Sequence, residues 1–272
     1  HGATLAEDIY AGERLVLRAN SRIRSTQVGL AASIGLDHLP TRPHPRVVIL
    51  SAGPDLVEPG QSLKADEEFE TNSWLLTTAV REVGAIGYRV HSIPDDEEEL
   101  LAVIEDQLVR ADLIVISGER NDDSFDLITR TLQKMGEITT LDLAIENSGR
   151  HNFGQIGPDK TPVVTLPGDP INAYISFELF VRPMIRTMLG VATIHRPSVK
   201  AKLEKAISST PGTRSYVRAI LSEDATSVRA LEIQDEISTL SDANSFIALS
   251  EKDETIEAGA SVNVVVLERR YI

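Results

Sequence analysis

The feature that most constrains the fold is a series of short apolar runs that alternate with segments of helical periodicity. RVVIL at 46–50 and DLIVIS at 112–117 are almost entirely apolar, and YRVHSI at 88–93 lies between them. Such runs are typical of strands that are buried on both faces of a parallel sheet. Between the runs, apolar residues recur at the three- and four-residue spacing of an amphipathic helix. The alternation predicts an α/β fold in three layers, with helices covering both faces of a parallel sheet.

The pattern changes twice along the chain and divides it into three predicted segments. Residues 1–44 form a short mixed segment that closes with the proline-rich run LPTRPHPR. Residues 45–192 carry the alternating pattern, with further strands predicted near 138–146 and 162–166. Residues 193–272 contain short β-like runs between Pro-Gly, Asp-Ala and Ala-Gly turns, a spacing that predicts a small all-β barrel.

Composition and charge narrow the class of protein. The 272 residues include no cysteine, which excludes disulfides, thiolate nucleophiles and iron–sulfur clusters. The 41 acidic and 27 basic residues give a formal net charge of −14, and such a chain repels nucleic acid and anionic membranes. We therefore expect a cytoplasmic protein without a nucleic-acid or membrane partner. Because the chain begins with His1 rather than Met, we expect it to be part of a longer protein.

Polar turns follow the predicted strands, and the turn after the strand near 162–166 is the most distinctive. Leu166-Pro167-Gly168-Asp169-Pro170 ends that strand and begins a long helix, predicted over Pro170–Leu189, with proline at its first position. Ligands of open α/β sheets bind beyond the carboxyl ends of the strands, and a helix N-terminus placed there can hold an anion. The turn is therefore either an anion-binding site or an ordinary connection between a strand and a helix.

The order of these turns resembles that of the MoeA-type molybdopterin molybdenumtransferases. RPHPRVVILSAGPDLVEPG is similar to the family's RPRVAxxSTGDEL-pG motif, TNSWLL to SNSxxL, SIPDD to vpDD, and LPGDPINAYISFELFVRPMI to LPGNPVSAxxxFexfvxPxl. LAEDIYAGERL resembles the family's interdomain segment, and TPGTRSYVRAIL and DANSFIAL resemble parts of its C-terminal barrel. The resemblance covers essentially the whole chain, and several separate motifs match in register.

The resemblance implies a fold and a function. The fold is a molybdopterin-binding α/β domain at 45–192, a β-barrel domain at 193–272 and part of an interdomain segment at 1–44. The activity is insertion of molybdate into adenylylated molybdopterin with Mg²⁺, in a homodimer. Family members normally carry an upstream domain with a Ser-x-Met-Asp-Gly-Tyr-Ala signature, which has no match in this sequence.

The resemblance also implies site residues. Asp55 and Asp126 are expected to be catalytic and to bind Mg²⁺. The residues expected to bind molybdopterin, its adenylate or molybdate are Gly53, Asn72, Ser73, Gly118, Asp126, Arg150, Pro167, Gly168 and Asp169.

The sequence departs from the family pattern where the chemistry is expected. In VISGERNDDSFD, which follows the third strand, Glu119, Asn121 and Asp123 stand where the family has Gly, Ser and Gly. Four acids against one base give this loop a formal charge of −3, which repels a phosphate. The family's Lys-Pro-Gly-Lys-Pro segment is here 146–150, ENSGR, in which Arg150 is one base able to hold an oxyanion.

Two hypotheses follow from these departures. In one, Mg²⁺ held by carboxylates such as Asp55, Asp122, Asp123 and Asp126 replaces the lost positive charge and bridges to a phosphate. In the other, the chain is a catalytically impaired relative that binds or scaffolds a partner. The charged loop itself is then a solvated acidic loop without a ligand.

Two aromatic side chains near these motifs have ordinary structural interpretations. His151, beside Arg150, is expected at the surface. Trp74 is expected to pack its helix onto the sheet, with stacking on a pterin as the alternative.

Overall fold

A computed structural model of the protein describes residues 3–53, 56–65, 67–93, 96–119, 122–232 and 237–268. The elements of the first part are β1 (Ile9–Ala11), β2 (Arg14–Leu17), α1 (Ser25–Ser33), β3 (Arg46–Ala52), β4 (Leu56–Val57), β5 (Glu68–Phe69), α2 (Asn72–Val83), β6 (Ile86–Ile93), α3 (Glu97–Leu108), β7 (Leu113–Glu119), α4 (Asp122–Met135), β8 (Gly136–Asp142), β9 (Arg150–Ile156), β10 (Thr161–Pro167), α5 (Pro170–Ser176) and α6 (Arg182–Met188). The elements that follow are β11 (Ser198–Leu203), β12 (Ile207–Ser208), β13 (Ser215–Leu221), β14 (Ser227–Ala230), α7 (Ser238–Asp242), β15 (Ser245–Leu249), β16 (Thr255–Ile256) and β17 (Ser261–Val266).

The first large unit is built on a six-stranded sheet in the order β6-β3-β7-β10-β9-β8. The first four strands of that order are parallel, which confirms the predicted α/β class. β9 runs antiparallel to both β10 and β8, so the prediction of an all-parallel sheet was wrong for this hairpin. The reason is physical: β8 is exposed along nearly its whole length, so it lacks the apolar run that marks a strand buried on both faces.

The alternation of side chains along β3 explains why its sequence is an unbroken apolar run. Val47 and Ile49 pack with α2 and α6 on one face of the sheet, in a cluster with Leu76 and Ile185. Val48 and Leu50 point to the other face and pack against α3 and α4. All four β3 side chains are fully buried. The sheet is thus the middle of three layers, and its strand ends are held in place from both sides.

The predicted helix Pro170–Leu189 is interrupted by a π-helical turn, Phe177–Val181, between α5 and α6. Glu178 in this turn is buried and accepts hydrogen bonds from Arg196 Nε and Nη2, at 2.8 and 2.7 Å. Arg196 also donates to the carbonyl of Leu267, just beyond β17. The turn therefore fixes the end of the α/β unit to the barrel through a paired, hydrogen-bonded charge.

The second unit is a closed barrel in the order β11-β14-β13-β15-β17, which confirms the predicted all-β architecture. The barrel interior is filled by aliphatic side chains, and the buried Phe246 of β15 packs outside it against α5. The short pair β12 and β16 lies beside it as a separate two-stranded sheet.

We predict that Glu178→Gln destabilises the protein, because it leaves the charge of Arg196 buried without its carboxylate. Loss of one partner of a buried ion pair costs about 3–5 kcal/mol, and we expect about 2–4 kcal/mol here because Arg196 keeps some solvent contact. Urea denaturation measures this change. The matched control is Glu232→Gln, which breaks the exposed pair with Lys205 and should leave the denaturation midpoint unchanged. Equal midpoints for the two variants would contradict the role assigned to Glu178.

Candidate functional site

A hydrogen-bond network centred on Asn72 joins three elements at the carboxyl ends of the parallel strands. Asn72 is the first residue of α2, and its Nδ2 lies 2.9 Å from Ser117 Oγ and 2.8 Å from the carbonyl oxygen of Gly168. Ser117, near the end of β7, donates in turn to the carbonyl oxygen of Pro167 at 2.9 Å. Because a carbonyl oxygen can only accept, the two amide hydrogens of Asn72 are both used, and its orientation is fixed.

This orientation leaves Asn72 Oδ1 without a partner among the described residues, and the buried hydroxyl oxygen of Ser51, at the end of the neighbouring β3, also has none there. Ser51 is fully buried near the end of β3 and lies in register with Ser117 on the neighbouring strand. A buried polar atom without a hydrogen bond costs about 1–3 kcal/mol, so native proteins normally supply one from protein, water or ligand. The two oxygens therefore indicate a binding position at the strand ends.

Gly118 shapes the same edge of the sheet. Leu166 pairs with Ser117, but Pro167 pairs with Glu119, so Gly118 is the extra residue of a bulge in the pairing of β7 with β10. Its φ of 133° is in the region that favours glycine. The bulge brings Ser117 within hydrogen-bond distance of the Leu166–Pro170 turn.

Asp169 in that turn caps helix α5. Its Oδ1 accepts from the backbone N–H of Asn172 at 2.9 Å and from Asn172 Nδ2 at 2.8 Å, and Pro170 begins the helix. A carboxylate thus already occupies the helix N-terminus where an anion could bind. The cap predicted from the sequence is present, whereas an anion-binding role of this turn stays a prediction.

Arg150 and Asp126 form an ion pair between β9 and α4. Arg150 begins β9, Asp126 lies in α4, and Arg150 Nη1 is 3.6 Å from Asp126 Oδ1. The Arg150 guanidinium also lies 4.1 Å from the centre of the Phe125 ring. Both charged side chains are partly exposed, at 37% and 52%. They are the two site residues predicted from the sequence that form a direct ion pair here.

The predicted Mg²⁺ site stays a prediction, because part of it lies outside the described residues. No group of three or more His, Asp or Glu side chains suited to a metal occurs within these residues. Asp126 is paired with a cation, Arg150. Asp55, the other predicted ligand, lies outside the described residues, as does Asn121. Two further residues of the predicted site lie in the described part of the chain. Gly53 directly follows β3, and Ser73 is in the first turn of α2.

His151 is fully buried, so its predicted surface position was wrong. Its Nδ1 lies 2.8 Å from the carbonyl oxygen of Thr165, to which it donates. Nε2 then accepts from Ser148 Oγ at 2.7 Å. The rings of Phe153 and Phe180 pack against the imidazole. Burial among these groups lowers the pKa of His151, which keeps it neutral at pH 7.

Trp74 also differs from its predicted place between helix and sheet, because half of its side chain is exposed. The guanidinium of Arg89, from β6, lies 4.1 Å from the centre of the indole ring. Glu58 Oε2 accepts from the indole Nε1 at 3.4 Å and Glu58 Oε1 accepts from Arg89. Contacts with the edge of the sheet hold the ring in place without covering it.

A cleft of about 430 Å³ adjoins the Leu166–Pro170 turn and separates the α/β unit from the barrel. Asn147, Asp169 and Asn172 line it from the α/β side, and Tyr216 and Arg218 line it from the barrel side. The carboxyl ends of the strands therefore adjoin an open cleft, which is lined by residues of both units.

The serines of the network were missed by the sequence-based assignment. Ser51 and Ser117 each follow the unbroken apolar run of a central strand, in RVVILS and in DLIVIS. The same polar residue at the same place in two neighbouring strands is the signal that could have identified them.

Comparison with known proteins places this chain in a family. A family profile described as a probable molybdopterin binding domain matches residues 49–187, which is half of the chain. A second profile, the MoeA C-terminal region (domain IV), matches residues 200–267. The chain belongs to the MoeA-type molybdopterin molybdenumtransferase family.

Individual MoeA-family relatives agree with this assignment. Molybdopterin molybdenumtransferase 1 of Mycobacterium tuberculosis is 31% identical over 270 residues, which is 96% of this chain and 63% of the relative. Molybdopterin molybdenumtransferase of Haemophilus influenzae is 24% identical over 267 residues, 96% of this chain and 65% of the relative. The crystal structure of the molybdopterin biosynthesis MoeA protein from Pyrococcus horikosii superposes with a TM-score of 0.81 at 26% identity, over 94% of this chain and 62% of that one.

The MoeA-family chain described here thus spans about 63% of the length of its curated relatives. Within the described ranges, every helix is too short or too polar to span a lipid bilayer.

We predict that His151 makes the stability of the protein depend on pH. Its pKa is lowered in the folded state, so the unfolded chain binds the proton more readily. The stabilisation is complete above the unfolded pKa, about 6.5, and is lost as the pH falls from there through the folded pKa. Urea denaturation of the wild type and of His151→Gln should differ by a constant above about pH 7 and converge as the pH falls. A constant difference down to acid pH would contradict the assignment.

Proposed function

We propose that this chain carries the part of a molybdopterin molybdenumtransferase that holds molybdopterin, or its adenylate, while molybdate is inserted. The observation that carries the proposal is the pair of unpartnered buried oxygens, Asn72 Oδ1 and Ser51 Oγ. They lie where ligands of open α/β sheets bind, within the region matched by the molybdopterin-binding profile.

The chemistry of these groups suits a pterin. Asn72 Oδ1 can only accept, because both hydrogens of the amide are used by Ser117 and Gly168. It therefore selects a ligand with an N–H donor, which the edge of a pterin ring provides. Ser51 can donate or accept, so it adapts to either type of ring atom. The site thereby recognises the ring by hydrogen bonds and needs no positive charge to do so.

Arg150 is the residue that we assign to the phosphate or to molybdate. Its guanidinium can bind an oxyanion through two parallel N–H groups. Asp126 competes for the same guanidinium across 3.6 Å. A bound oxyanion must displace or share this carboxylate, so the pair sets a limit on how tightly the anion is held. Asp126 then orients Arg150 as long as the site is empty and can accept another hydrogen bond once an anion takes its place.

Two finer elements of the proposal come from the family resemblance alone. We expect a homodimer, for which sedimentation of the purified protein is the direct test. Mg²⁺ enters no step of the proposal. A role for Asp55 with Mg²⁺ stays a prediction, supported if Mg²⁺ strengthens molybdopterin binding to the wild type but not to Asp55→Asn. Within the described part of the chain, nothing favours a scaffold role over this function.

We predict that Ser51→Ala weakens molybdopterin binding without lowering the stability of the free chain. The variant removes a buried hydroxyl that makes no hydrogen bond, so the free chain should be as stable as the wild type or more stable by about 1 kcal/mol. Molybdopterin should bind about tenfold more weakly, because one ligand hydrogen bond is lost. Urea denaturation and isothermal titration calorimetry measure the two quantities. Asn263→Ala, at an exposed position of β17, is the control for both.

If Ser51→Ala loses stability and keeps the affinity of the wild type, the serine is a structural residue and the proposal fails at this position.

We predict opposite effects for the two members of the ion pair. Arg150→Ala should weaken molybdate binding about tenfold, since a charge-assisted contact is lost. Asp126→Asn should strengthen it, because the competing carboxylate loses its charge. Equilibrium dialysis with molybdate measures both. Weaker binding to both variants would mean that Asp126 holds the anion through another group and would overturn the competition between the two.

A further inference from the structure

β8 is the last strand of the six-stranded sheet, and its outer edge has no partner strand in the described part of the chain. The strand is seven residues long, Gly136–Asp142, and it pairs with β9 in one continuous antiparallel register. A strand at the edge of a sheet presents a row of backbone N–H and C=O groups that can pair with another extended chain. The outer edge of β8 can therefore take an added strand.

Natural proteins usually block such an edge, and β8 lacks the features that do so. Lysine, proline, a bulge or a very short strand are the common means. The sequence of β8, GEITTLD, contains neither a basic residue nor proline, and its pairing with β9 has no bulge. At the opposite edge of the sheet, β6 carries Arg89, and its pairing with β3 shifts register between Leu50 and Ala52. Of the two edges, that of β8 is thus the one suited to regular pairing.

The side chains of β8 divide between a packed face and an open face. Ile138 packs against the core that α4 covers, and Thr140 donates to an asparagine of β9 at 2.7 Å. Glu137, Thr139 and Leu141 alternate with these two and point to the other face, where all three are exposed. The side chains of an added strand would contact this open face, since residues on the same face of paired strands are neighbours.

Charge decides what can pair with this edge. Glu137 and Asp142 lie near the two ends of β8, and the four residues between them are uncharged. The base opposite Asp142 on β9, Arg150, is already paired with Asp126. Antiparallel pairing of two copies of β8 would set the acidic ends of each against those of the other, which is unfavourable. An added strand should therefore carry basic residues at its ends, and the net charge of −14 attracts such a segment.

We propose that the outer edge of β8 is a docking site for an extended segment of a partner protein, with β-branched residues between basic residues at its two ends. The segment adds antiparallel to β8, the more stable direction of pairing, and becomes a seventh strand beside the six of the sheet. Its basic ends contact Glu137 and Asp142. β9 and β10 separate β8 from the strands that carry Ser51 and Ser117, so this inference goes beyond the proposed function and does not depend on it.

A short peptide tests the docking site directly. The probe is a capped peptide of alternating threonine and valine with two lysines at each end. Hydrogen exchange followed by mass spectrometry should show slower exchange of the backbone amides of β8 when this peptide is bound, and no change in the barrel strand β17.

Two control peptides separate strand pairing from attraction by charge. A peptide with proline in place of one central residue should bind about tenfold more weakly, because proline has no backbone N–H to pair. A peptide with glutamates in place of the lysines should also bind about tenfold more weakly, because the acids of β8 repel it.

Thr139→Lys is the matched variant of the protein. It places a lysine at an exposed position in the middle of β8, which reproduces the natural means of blocking an edge. Calorimetry should show that it binds the lysine peptide about tenfold more weakly than the wild type. The control Asn263→Lys makes a similar change of charge at an exposed position of β17, whose neighbours β11 and β15 are both paired with it. This control and Thr139→Val, which stays β-branched and uncharged, should bind as the wild type does.

Four results would overturn the docking site. Equal weakening in Thr139→Lys and Asn263→Lys would mean that net charge alone attracts the peptide. Binding without slower exchange in β8 would place the peptide elsewhere. Absence of binding at millimolar peptide would mean that the edge takes no added strand of this kind. Slower exchange in β8 as the protein concentration rises, without any peptide, would mean that a second copy of the chain covers the edge.

Discussion

The site depends on one side chain, the amide of Asn72, which donates one hydrogen bond to Ser117 and one to the carbonyl of Gly168. These bonds tie the start of α2 to the end of β7 and to the turn after β10, three places that are distant in sequence. Because both amide hydrogens are used, the amide oxygen has a fixed direction and no partner among the described residues. The position of a ligand acceptor is thus a consequence of how the fold closes at this edge.

In the proposed function, the negative charge of the chain affects binding of the oxyanion more than binding of the pterin ring. The chain has a net charge of −14, and acids occupy several places where relatives of this family have glycine or lysine. In the proposed function, the ligand's hydrogen bonds to Asn72 and Ser51 are neutral and insensitive to that charge, whereas anion binding is assigned to Arg150, which is already paired with Asp126. Under the proposed function, we expect an acidic site of this kind to hold a pterin but to hold a free oxyanion weakly. The departures from the family pattern should then affect binding of molybdate more than binding of the pterin.

Much of the fold could be predicted because its central strands are buried on both faces. That burial produces the unbroken apolar runs at β3 and β7, from which the α/β class was predicted. The barrel was predicted from the short β-like runs and turns of its own segment. The strand predicted near 138–146 corresponds to β8, but β9 and the antiparallel hairpin were missed, because β8 is exposed and has no such run. The π-helical turn inside the predicted helix 170–189 is one extra residue in the hydrogen-bond ladder, which leaves the apolar spacing nearly unchanged.

The site was less predictable than the fold, because its contacts are formed between distant residues. His151 is buried by Thr165 and by two phenylalanines, and Trp74 is held at the surface by Glu58 and Arg89. No local pattern in the sequence encodes either arrangement. In contrast, the cap formed by Asp169 was predictable, since it joins residues three apart in one turn.

The most direct measurement is a crystal structure of the chain with molybdopterin bound, at a resolution that shows ordered water. We predict a pterin N–H donor at hydrogen-bond distance from Asn72 Oδ1, about 2.7–3.2 Å, and a ring atom within the same range of Ser51 Oγ. The amide of Asn72 should keep its bonds to Ser117 and Gly168. Water molecules that satisfy both oxygens while the pterin binds elsewhere would contradict the central claim.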